Sequence, residues 1–367
     1  MNQDYGKKHI SAEFPEPSTS EITGRSPFFS IGVTTYNRPE LLRQTLLSIS
    51  RQTFTDFEVI VGNDFIPEPL TAELVGINDS RIRFENYPQN LGEERNMNTL
   101  LAMSRGRYFI WQCDDDLFSP EFLEEVFLTL TRFNFPPCVF SSYKLIYGTS
   151  FPDMPNILSG QGKNYSGRQF LSMYWSGRIK AIGCNGVYQR DYLLETGGVK
   201  CLADYHRPLY SEHLLLNQAG LQKQVAHIDE PLVLYRVHDD AWGCRTNDLS
   251  VYKQAGNNLI HDSIIIFLNP ELRDDFRQNM AYLLNFVISE YVDMIKSDTG
   301  LLSRFKAVPF FFSLKEQFES LRGTPFFLKA LISWAWAGIK LVWRLGTDFN
   351  LKALYSFFGR FKQDWLQ

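Results

Sequence analysis

The stretch Arg107-Tyr-Phe-Ile-Trp-Gln-Cys-Asp-Asp-Asp116 joins an apolar, strand-like run directly to three consecutive acids. The residues that follow, Ser119-Pro120-Glu121, indicate the start of a helix. Carboxylates this close repel one another, and Mg²⁺ or Mn²⁺ cancels the repulsion because both ions prefer oxygen ligands. Asp is also a common turn and N-cap residue, so simple helix capping is the alternative interpretation. The stretch therefore predicts either a divalent-metal site or a capped turn at the end of a buried strand.

Strand-like and helix-like segments alternate upstream of this stretch. The predicted order is strand 28–35, helix 40–52, strand 57–62, strand 81–85 and helix 91–104. Pro39 suits the start of the first helix, because its fixed backbone angle matches the helix and its missing N–H is not needed there. Strands that alternate with helices of about 10–15 residues indicate crossover connections between parallel strands. We therefore expect an α/β fold with a mostly parallel sheet flanked by helices.

Polar residues follow three of the predicted strands at the point where each strand ends. These clusters are Thr34 to Asn37, Asn63-Asp64 and Asp114 to Asp116. Ligands of open parallel sheets bind beyond the carboxyl ends of the strands. We therefore expect the three clusters to converge on one edge of the sheet and to form a binding site there.

Five motifs occur in order over roughly residues 28 to 245. They are Ser30-Ile-Gly-Val-Thr-Thr-Tyr-Asn-Arg-Pro39, Glu58-Val-Ile-Val-Gly-Asn-Asp64, Asn90-Leu-Gly-Glu-Glu-Arg-Asn96, Gly106-Arg-Tyr-Phe-Ile with Asp114-Asp-Asp116, and Glu230-Pro-Leu-Val-Leu-Tyr-Arg-Val-His238. Together they resemble the inverting family 2 glycosyltransferases, whose Rossmann-like fold is called GT-A. The resemblance implies an enzyme that moves a sugar from a nucleotide-diphosphate donor to a saccharide or polyprenyl-linked saccharide acceptor in cell-envelope or exopolysaccharide biosynthesis. A non-catalytic carbohydrate- or nucleotide-binding scaffold and a sugar-phosphate nucleotidyltransferase are the alternatives.

The resemblance implies a donor site built from the first three motifs. Thr34, Thr35, Tyr36 and Asn37 correspond to the first nucleotide-contacting loop, Asp64 to the acid that binds the base, and Asn90 and Asn96 to a junction near the donor. A carboxylate accepts a hydrogen bond from the ring N–H of uracil or thymine, which favours a UDP- or dTDP-sugar. For Asp64, an Asx turn before Pro67 is the alternative interpretation.

The acidic motif departs from the Asp-x-Asp-Asp pattern of the family, because Cys113 occupies the position of its first acid. The resemblance implies that Mg²⁺ or Mn²⁺ is held by Asp116, Asp114 and His238, with Asp114 or Asp115 at metal-bound water or ribose. An imidazole nitrogen is an acceptable ligand beside carboxylates. Arg236 belongs to the same Arg-x-His pattern, and it is either a contact to the donor phosphates or an ion-pair partner.

Glu212 is our candidate for the general base that takes the proton from the acceptor hydroxyl. It stands at the predicted start of a helix within 207–220, and it is the only carboxylate between Asp204 and Asp229. Members of the family use a carboxylate at a matching place, and general-base help of this kind is worth about 10²–10⁴-fold in rate. A first-turn acid that only interacts with the helix dipole is the alternative. Trp242 is either a wall against the acceptor sugar or a buried packing residue.

Composition limits the remaining possibilities. The chain of 367 residues has a formal net charge of −4, which gives no support to nucleic-acid binding. Its five cysteines include no Cys-x-x-Cys pair, and the first residues contain no apolar signal, so we expect a reducing, cytoplasmic setting. The expected organisation is a disordered leader at 1–26, a GT-A domain at 27–250 with a loop-rich insertion at 144–180, and a helical C-terminal region at 251–367.

The last part of the chain differs from the rest in charge and aromatic content. Residues 301–367 contain ten Lys or Arg and four Asp or Glu, interleaved with aromatic residues that include Phe310, Phe311, Trp334 and Trp336. This pattern suits a helix at the membrane interface, so one interpretation is peripheral contact with the inner face of the membrane. An ordinary helical subdomain is the other interpretation. The apolar stripe within 273–296 predicts a helix that packs against the preceding domain.

Overall fold

The computed structural model describes residues 26–152, 160–205, 207–238, 248–296 and 307–345. The elements, in order, are β1 (Phe29–Thr35), α1 (Pro39–Ser50), β2 (Phe57–Asn63), α2 (Ala72–Val75), β3 (Ile82–Asn86), α3 (Glu93–Met103), β4 (Tyr108–Cys113), β5 (Leu117–Phe118), α4 (Phe122–Arg132), β6 (Cys138–Tyr147), β7 (Lys163–Tyr165), α5 (Gly167–Trp175), β8 (Val187–Gln189), α6 (Arg190–Thr196), α7 (Ser211–Ala219), β9 (Val225–Val237), α8 (Leu249–Phe267), α9 (Phe276–Lys296), α10 (Ala307–Ser313) and α11 (Pro325–Leu345). Short 3₁₀ helices, Arg273–Asp275 and Leu314–Leu321, precede α9 and α11. Nearly all of the predicted leader, Trp242 and the tail beyond residue 345 lie outside the described residues.

The strands form one sheet in the order β3-β2-β1-β4-β8-β6-β9-β5, and β7 also pairs with β9. The strands from β3 to β4 run parallel and are joined by crossover connections that contain α1, α2 and α3. Beyond β4 the sheet is mixed: β8 is antiparallel to both of its neighbours, while β6 and β9 are parallel. The predicted α/β class, with its parallel sheet, flanking helices and C-terminal helical extension, is confirmed.

Strand β1 lies between two parallel neighbours because its sequence is apolar enough to be covered on both faces. All of its residues are buried, and full burial of a Val, Ile or Phe side chain is worth about 1.5–3 kcal/mol. Gly32 permits the close approach of β4, since a Cβ atom there would lie 2.8 Å from the ring of Phe109. The strand ends in register with its neighbours, with Thr34 paired to both Gly62 and Cys113. The polar clusters that follow these strands therefore start at the same edge of the sheet, as predicted.

The segment predicted as a loop-rich insertion contains more regular structure than expected. Strand β6 continues to Tyr147, β7 pairs with β9, and α5 begins with a capping box between Ser166 and Gln169. The prediction was wrong for these parts because a three-residue strand and a nine-residue helix are too short to show a clear hydrophobic period. Residues 153–159, in the middle of this segment, lie outside the described residues.

The C-terminal helices form a second hydrophobic core. The apolar stripe of α9 is buried there with Leu171 of α5 and Leu214 of α7, so this helix packs against the sheet domain as predicted. Trp334 stacks on Phe311 with 4.5 Å between ring centroids and donates from Nε1 to its carbonyl oxygen. Phe310 is buried in the same core. These three aromatic residues therefore pack inside the protein, which corrects their assignment to a membrane interface.

Trp336 differs from these aromatic residues, because 60% of its surface is exposed on α11. Leu328, on the same helix, is also exposed. Among the described helices, none is both long enough and apolar enough to cross a membrane.

Candidate active site

A cavity of about 680 Å³ lies at the carboxyl ends of β1, β2 and β4. Most of the predicted site residues line it, namely Thr34, Thr35, Tyr36, Asp64, Asn90, Asn96, Asp114, Asp115, Asp116, Glu212 and Arg236. Asn37 and His238 are not part of its lining. Asn37 is exposed with a φ of 51°, a left-handed conformation that Asn tolerates better than most residues. Asn37 thus forms part of the turn between β1 and α1, and its donor contact stays a prediction.

Asp114 is completely buried and is paired with Arg38. One of its carboxylate oxygens accepts from Arg38 Nη2, and the other accepts from Arg38 Nε at 3.2 Å and from Thr35 Oγ1 at 2.6 Å. Arg38 Nη1 also donates to Asp115 Oδ2 at 2.9 Å. Burial raises the pKa of Asp114 to about 7, although the Arg38 charge opposes this shift. Both oxygens of Asp114 are engaged by Arg38 and Thr35 in this structure, and its role as a metal ligand stays a prediction.

The possible metal-binding group consists of the residues on either side of Asp114. One ligand atom from each of Cys113, Asp115 and Asp116 lies within 4.8 Å of the other two. Burial, and then the charge of Asp115, raise the pKa of Asp116 well above its usual range, so this negative charge is incompletely compensated by the protein. Carboxylate oxygens are the ligands that Mg²⁺ and Mn²⁺ prefer, whereas the thiol of Cys113 is softer. The residues present therefore fit a divalent cation held by Asp115 and Asp116.

Arg236 and His238 support this acidic cluster from the end of β9. The backbone N–H of Arg236 donates to Asp116 Oδ1 at 2.8 Å, and its guanidinium donates to the carbonyl oxygen of Asp115 at 2.7 Å and to Gln44 Oε1 at 2.9 Å. The side chain is buried by these internal contacts, so the structure favours a positioning role over the predicted phosphate contact. His238 Nε2 lies 3.2 Å from Asp115 Oδ2. His238 thus lies beside the acidic cluster as a partner of Asp115, and its role as a metal ligand stays a prediction.

Asp64 lies at the end of β2 and lines the cavity. Its Oδ1 accepts from the backbone N–H of Leu91 at 2.8 Å, and burial raises its pKa. The Asx turn considered for Asp64 is formed by the preceding residue, because Asn63 Oδ1 accepts from the N–H of Phe65 at 3.0 Å. The remaining carboxylate oxygen of Asp64 is therefore available to a ligand of the cavity in this arrangement.

Asn90 and Asn96 have structural contacts at the start of α3. Asn96 is buried, donates to the carbonyl oxygen of Gly62 at 2.9 Å and accepts from the hydroxyl of Tyr87 at 3.1 Å. It therefore joins α3 to β2 while it lines the cavity, and its donor contact stays a prediction. Asn90 is exposed, and its Oδ1 accepts from the N–H of Gly92 at 2.8 Å. Asn90 is thus the more exposed of the two.

Four charged residues of the cavity were missed by the sequence predictions, namely Arg38, Glu93, Arg207 and Glu290. Arg38 stands in the first motif, and the signal was available: three neighbouring acids require a nearby cation. Glu93 lies at the start of α3, where its Oε1 accepts from Thr34 Oγ1 at 3.3 Å, and burial raises its pKa. Glu93 gave no sequence signal of its own, because acids are common in the first turn of helices.

Glu212 lies at the other end of the cavity, in the first turn of α7. Burial, followed by the charge of Glu290, raises the pKa of Glu212 to about 7, while 39% of its side chain stays accessible. His213 Nε2 is 3.8 Å from Glu212 Oε1, but burial lowers the pKa of His213 to about 3. The imidazole is therefore neutral at pH 7 and does not form an ion pair with the carboxylate of Glu212. A carboxylate with a pKa near 7 is suited to general-base catalysis at neutral pH.

Helix α9 completes the cavity wall around Glu212. Phe286, Glu290 and Met294 line the cavity, and their four-residue spacing places them on one face of the helix. The ring centroid of Phe286 lies 4.1 Å from that of His213 and 5.4 Å from that of Tyr210. Side chains of the C-terminal helices therefore belong to the same cavity as the acidic cluster.

A mostly parallel sheet whose strand ends carry buried acids beside a large cavity is an arrangement in which α/β proteins bind ligands. Residues 30–194 match the model of the family described as Glycosyl transferase family 2. This segment of the chain is therefore similar to that family, in agreement with the resemblance of the motifs.

The chain is also similar to individual proteins. It is 21% identical over 216 residues to the putative glycosyltransferase EpsH of Bacillus subtilis, which covers 58% of this chain and 62% of that protein. It is 33% identical over 95 residues to the GalNAc(5)-diNAcBac-PP-undecaprenol beta-1,3-glucosyltransferase of Campylobacter jejuni, covering 24% of this chain and 30% of that protein. The structure of S. aureus TarS 1-349 in complex with UDP-GlcNAc has 12% identity and a TM-score of 0.49, over 88% of this chain and 93% of that one. The chain spans between 18% and 62% of the length of curated relatives such as these.

Proposed function

We propose that the protein is a glycosyltransferase that moves a sugar from a nucleotide-diphosphate donor to a saccharide or lipid-linked saccharide acceptor, with inversion at the anomeric carbon. The observation that carries this proposal is the two-ended cavity, with a buried acidic cluster at the sheet edge and Glu212 at the opposite end. Such a transfer needs stabilisation of negative charge on the leaving group and removal of a proton from the acceptor. The match of residues 30–194 to the Glycosyl transferase family 2 model supports this reaction, in cell-envelope or exopolysaccharide biosynthesis.

The donor end binds the nucleotide and the diphosphate. Asp64 accepts a hydrogen bond from the base, which favours uracil or thymine, and Tyr36, 52% exposed, offers a ring beside the end of β1. Arg38 holds Asp114 and Asp115 in fixed positions through its ion pairs. Asp115 and Asp116 would hold a Mg²⁺ or Mn²⁺ ion, which would supply electrostatic stabilisation to the leaving diphosphate when bound.

The acceptor end removes the proton. The carboxylate of Glu212 takes it from the acceptor hydroxyl while the new bond to the anomeric carbon forms and the bond to the diphosphate oxygen breaks. The pKa of about 7 allows Glu212 to be ionised at neutral pH and still basic enough to accept a proton. The product is the inverted glycoside, and the enzyme forms no covalent bond with the sugar.

The proposed acceptor and the proposed location rest on separate observations. The name of the Campylobacter relative specifies an undecaprenol-linked acceptor, which supports a polyprenyl-linked saccharide for this chain as well. Exposed Leu328 and Trp336 share α11 with Lys340. This combination supports peripheral contact with the inner face of the membrane.

Calorimetry of the full chain tests the proposed function. We expect UDP or dTDP to bind more tightly with Mn²⁺ than with EDTA, GDP to bind more weakly, and the preferred UDP- or dTDP-sugar to be hydrolysed slowly without an acceptor. Binding that is independent of Mn²⁺, together with no consumption of any nucleotide sugar, would indicate the non-catalytic scaffold instead.

A further inference from the structure

We propose that Tyr210, together with Phe286 and Glu290 of α9, forms a subsite for a neutral sugar unit at the reacting end of the acceptor. This subsite depends on the glycosyltransferase function proposed above. It gives the C-terminal helices a part in substrate recognition, in addition to their packing against the sheet domain.

The hydroxyl of Tyr210 carries the first observation. Tyr210 is only 6% exposed and lines the cavity. Among the described residues, its hydroxyl has no hydrogen-bond partner. A buried hydroxyl without a partner is unfavourable, and native proteins satisfy nearly all such groups. The hydroxyl oxygen is almost inaccessible in this structure, so a ligand hydroxyl in the cavity supplies the missing partner once a neighbouring side chain shifts.

The backbone of Tyr210 gives an independent second observation. Its φ of 64° places a bulky, non-glycine residue in the left-handed region, and backbone strain of this kind clusters at functional sites. Ser211, the next residue, donates from Oγ to the carbonyl oxygen of Lys200, which holds the turn in place. The turn leads directly into Glu212, and both residues line the cavity.

The facing side chains indicate which chemistry the subsite takes. Phe286 and Tyr252 surround the Tyr210 ring at centroid distances of 5.4 and 6.1 Å, and aromatic faces pack well against the apolar faces of sugar rings. Glu290 lies on the same face of α9 as Phe286 and lines the same cavity. Two carboxylates, Glu212 and Glu290, disfavour a sugar that carries a carboxylate or phosphate.

The other charges of the cavity do not alter this preference. Arg207 also lines the cavity, and its charge acts on Glu93 at the donor end. The acidic cluster is accompanied by Arg38. The cations of the cavity thus accompany the donor side, and the subsite around Tyr210 is aromatic and acidic.

The test measures nucleotide release from the preferred donor in the presence of octyl glycosides of glucose, galactose and N-acetylglucosamine, with octyl glucuronide as the anionic counterpart. We expect at least one neutral glycoside to stimulate release and the glucuronide to have no effect. Tyr210→Phe should raise KM for the neutral glycoside about tenfold, a change equivalent to about 1.4 kcal/mol. Its kcat and its affinity for the nucleotide should stay close to those of the parent.

Tyr291→Phe is the matched control, because Tyr291 is a buried tyrosine of α9 that packs on Phe310 and does not line the cavity. It should leave KM unchanged. Phe286→Leu keeps an apolar side chain and should also raise KM, which protects the test against misfolding of one variant. An unchanged KM in both cavity variants, equal stimulation by the glucuronide, or no stimulation by any neutral glycoside in a protein that binds nucleotide overturns the subsite. If the parent protein itself binds no nucleotide, the proposed function is wrong.

Discussion

The donor end and the acceptor end of the cavity are built in different ways. The donor end consists of the ends of neighbouring parallel strands, where Thr35 of β1 is paired with Asn63 of β2 and Thr34 with Cys113 of β4. The acceptor end is assembled from α7 and α9, which are distant in sequence and meet through helix packing. A strand ladder fixes the position of every side chain, whereas packed helices allow one residue to change without the others. We therefore infer that the donor end is constrained by the fold and that the acceptor end carries the specificity of this chain.

The two ends also differ in how their charges are compensated. At the donor end, one guanidinium pairs with Asp114 and Asp115, and Arg236 donates to Asp116 from its backbone. At the acceptor end, burial and a second carboxylate raise the pKa of Glu212. The contacts at the donor end fix the positions of its carboxylates. The raised pKa at the acceptor end suits Glu212 to accept a proton. Substitutions at the two ends should therefore fail in different ways.

The largest effect is expected from Asp116→Asn at the donor end. The amide oxygen still accepts from the N–H of Arg236, so the fold should be retained while one ligand charge is lost. We expect loss of Mn²⁺-dependent nucleotide binding in calorimetry, and loss of transfer with it. The melting temperature without metal serves as the control and should not fall. The same nucleotide affinity with and without Mn²⁺ in the parent and variant would remove Asp116 from the site.

Glu212→Gln should have a large but different effect at the acceptor end. Turnover should fall by about 10²–10⁴-fold, while the calorimetric affinity for the nucleotide stays at the parental value. In the parent, kcat/KM should decrease as the pH falls below about 7, because protonated Glu212 cannot accept a proton. A parental rate in the variant would mean that the base lies elsewhere.

Unfolding measurements separate this loss of turnover from a loss of structure. The pKa of Glu212 is higher in the folded protein than the ordinary value of 4.5. Its contribution to stability is therefore fully present below about pH 4.5 and is lost as the pH rises through about 7. Glu212→Gln, which stays neutral, should consequently be no less stable than the parent at pH 8.

The same difference between the ends explains what the sequence could predict. The strand ends after Thr35, Asn63 and Cys113 were foreseeable, because parallel strands bring their carboxyl ends to one edge. Which carboxylate oxygens of the acidic run pair with Arg38 was not foreseeable: Arg38 contacts both oxygens of Asp114 but only Oδ2 of Asp115. The local sequence does not indicate which of several neighbouring carboxylates pairs with the arginine.

The acceptor wall was beyond prediction for another reason. Phe286 and Glu290 belong to a helix whose apolar stripe predicted only packing. Their place in the cavity depends on how α9 crosses α7, a tertiary relation that hydrophobic periodicity does not encode. Glu212 does lie at the start of a helix, as predicted, because that prediction required only a carboxylate at a helix start. Its role as the base stays a prediction.

The smallest predicted effect, and the one that joins the C-terminal helices to the chemistry, concerns Glu290→Gln. Removing this charge lowers the pKa of Glu212 towards its ordinary value, so the acid limb of the kcat/KM profile should move to lower pH. The movement should be partial, because burial is the larger cause of the raised pKa and is unchanged by the substitution. Glu316→Gln, on the 3₁₀ helix before α11 and outside the cavity lining, provides the control. An unchanged pH profile of kcat/KM would mean that Glu290 does not influence the pKa of the base. Helix α9 would then contribute only to the shape of the cavity.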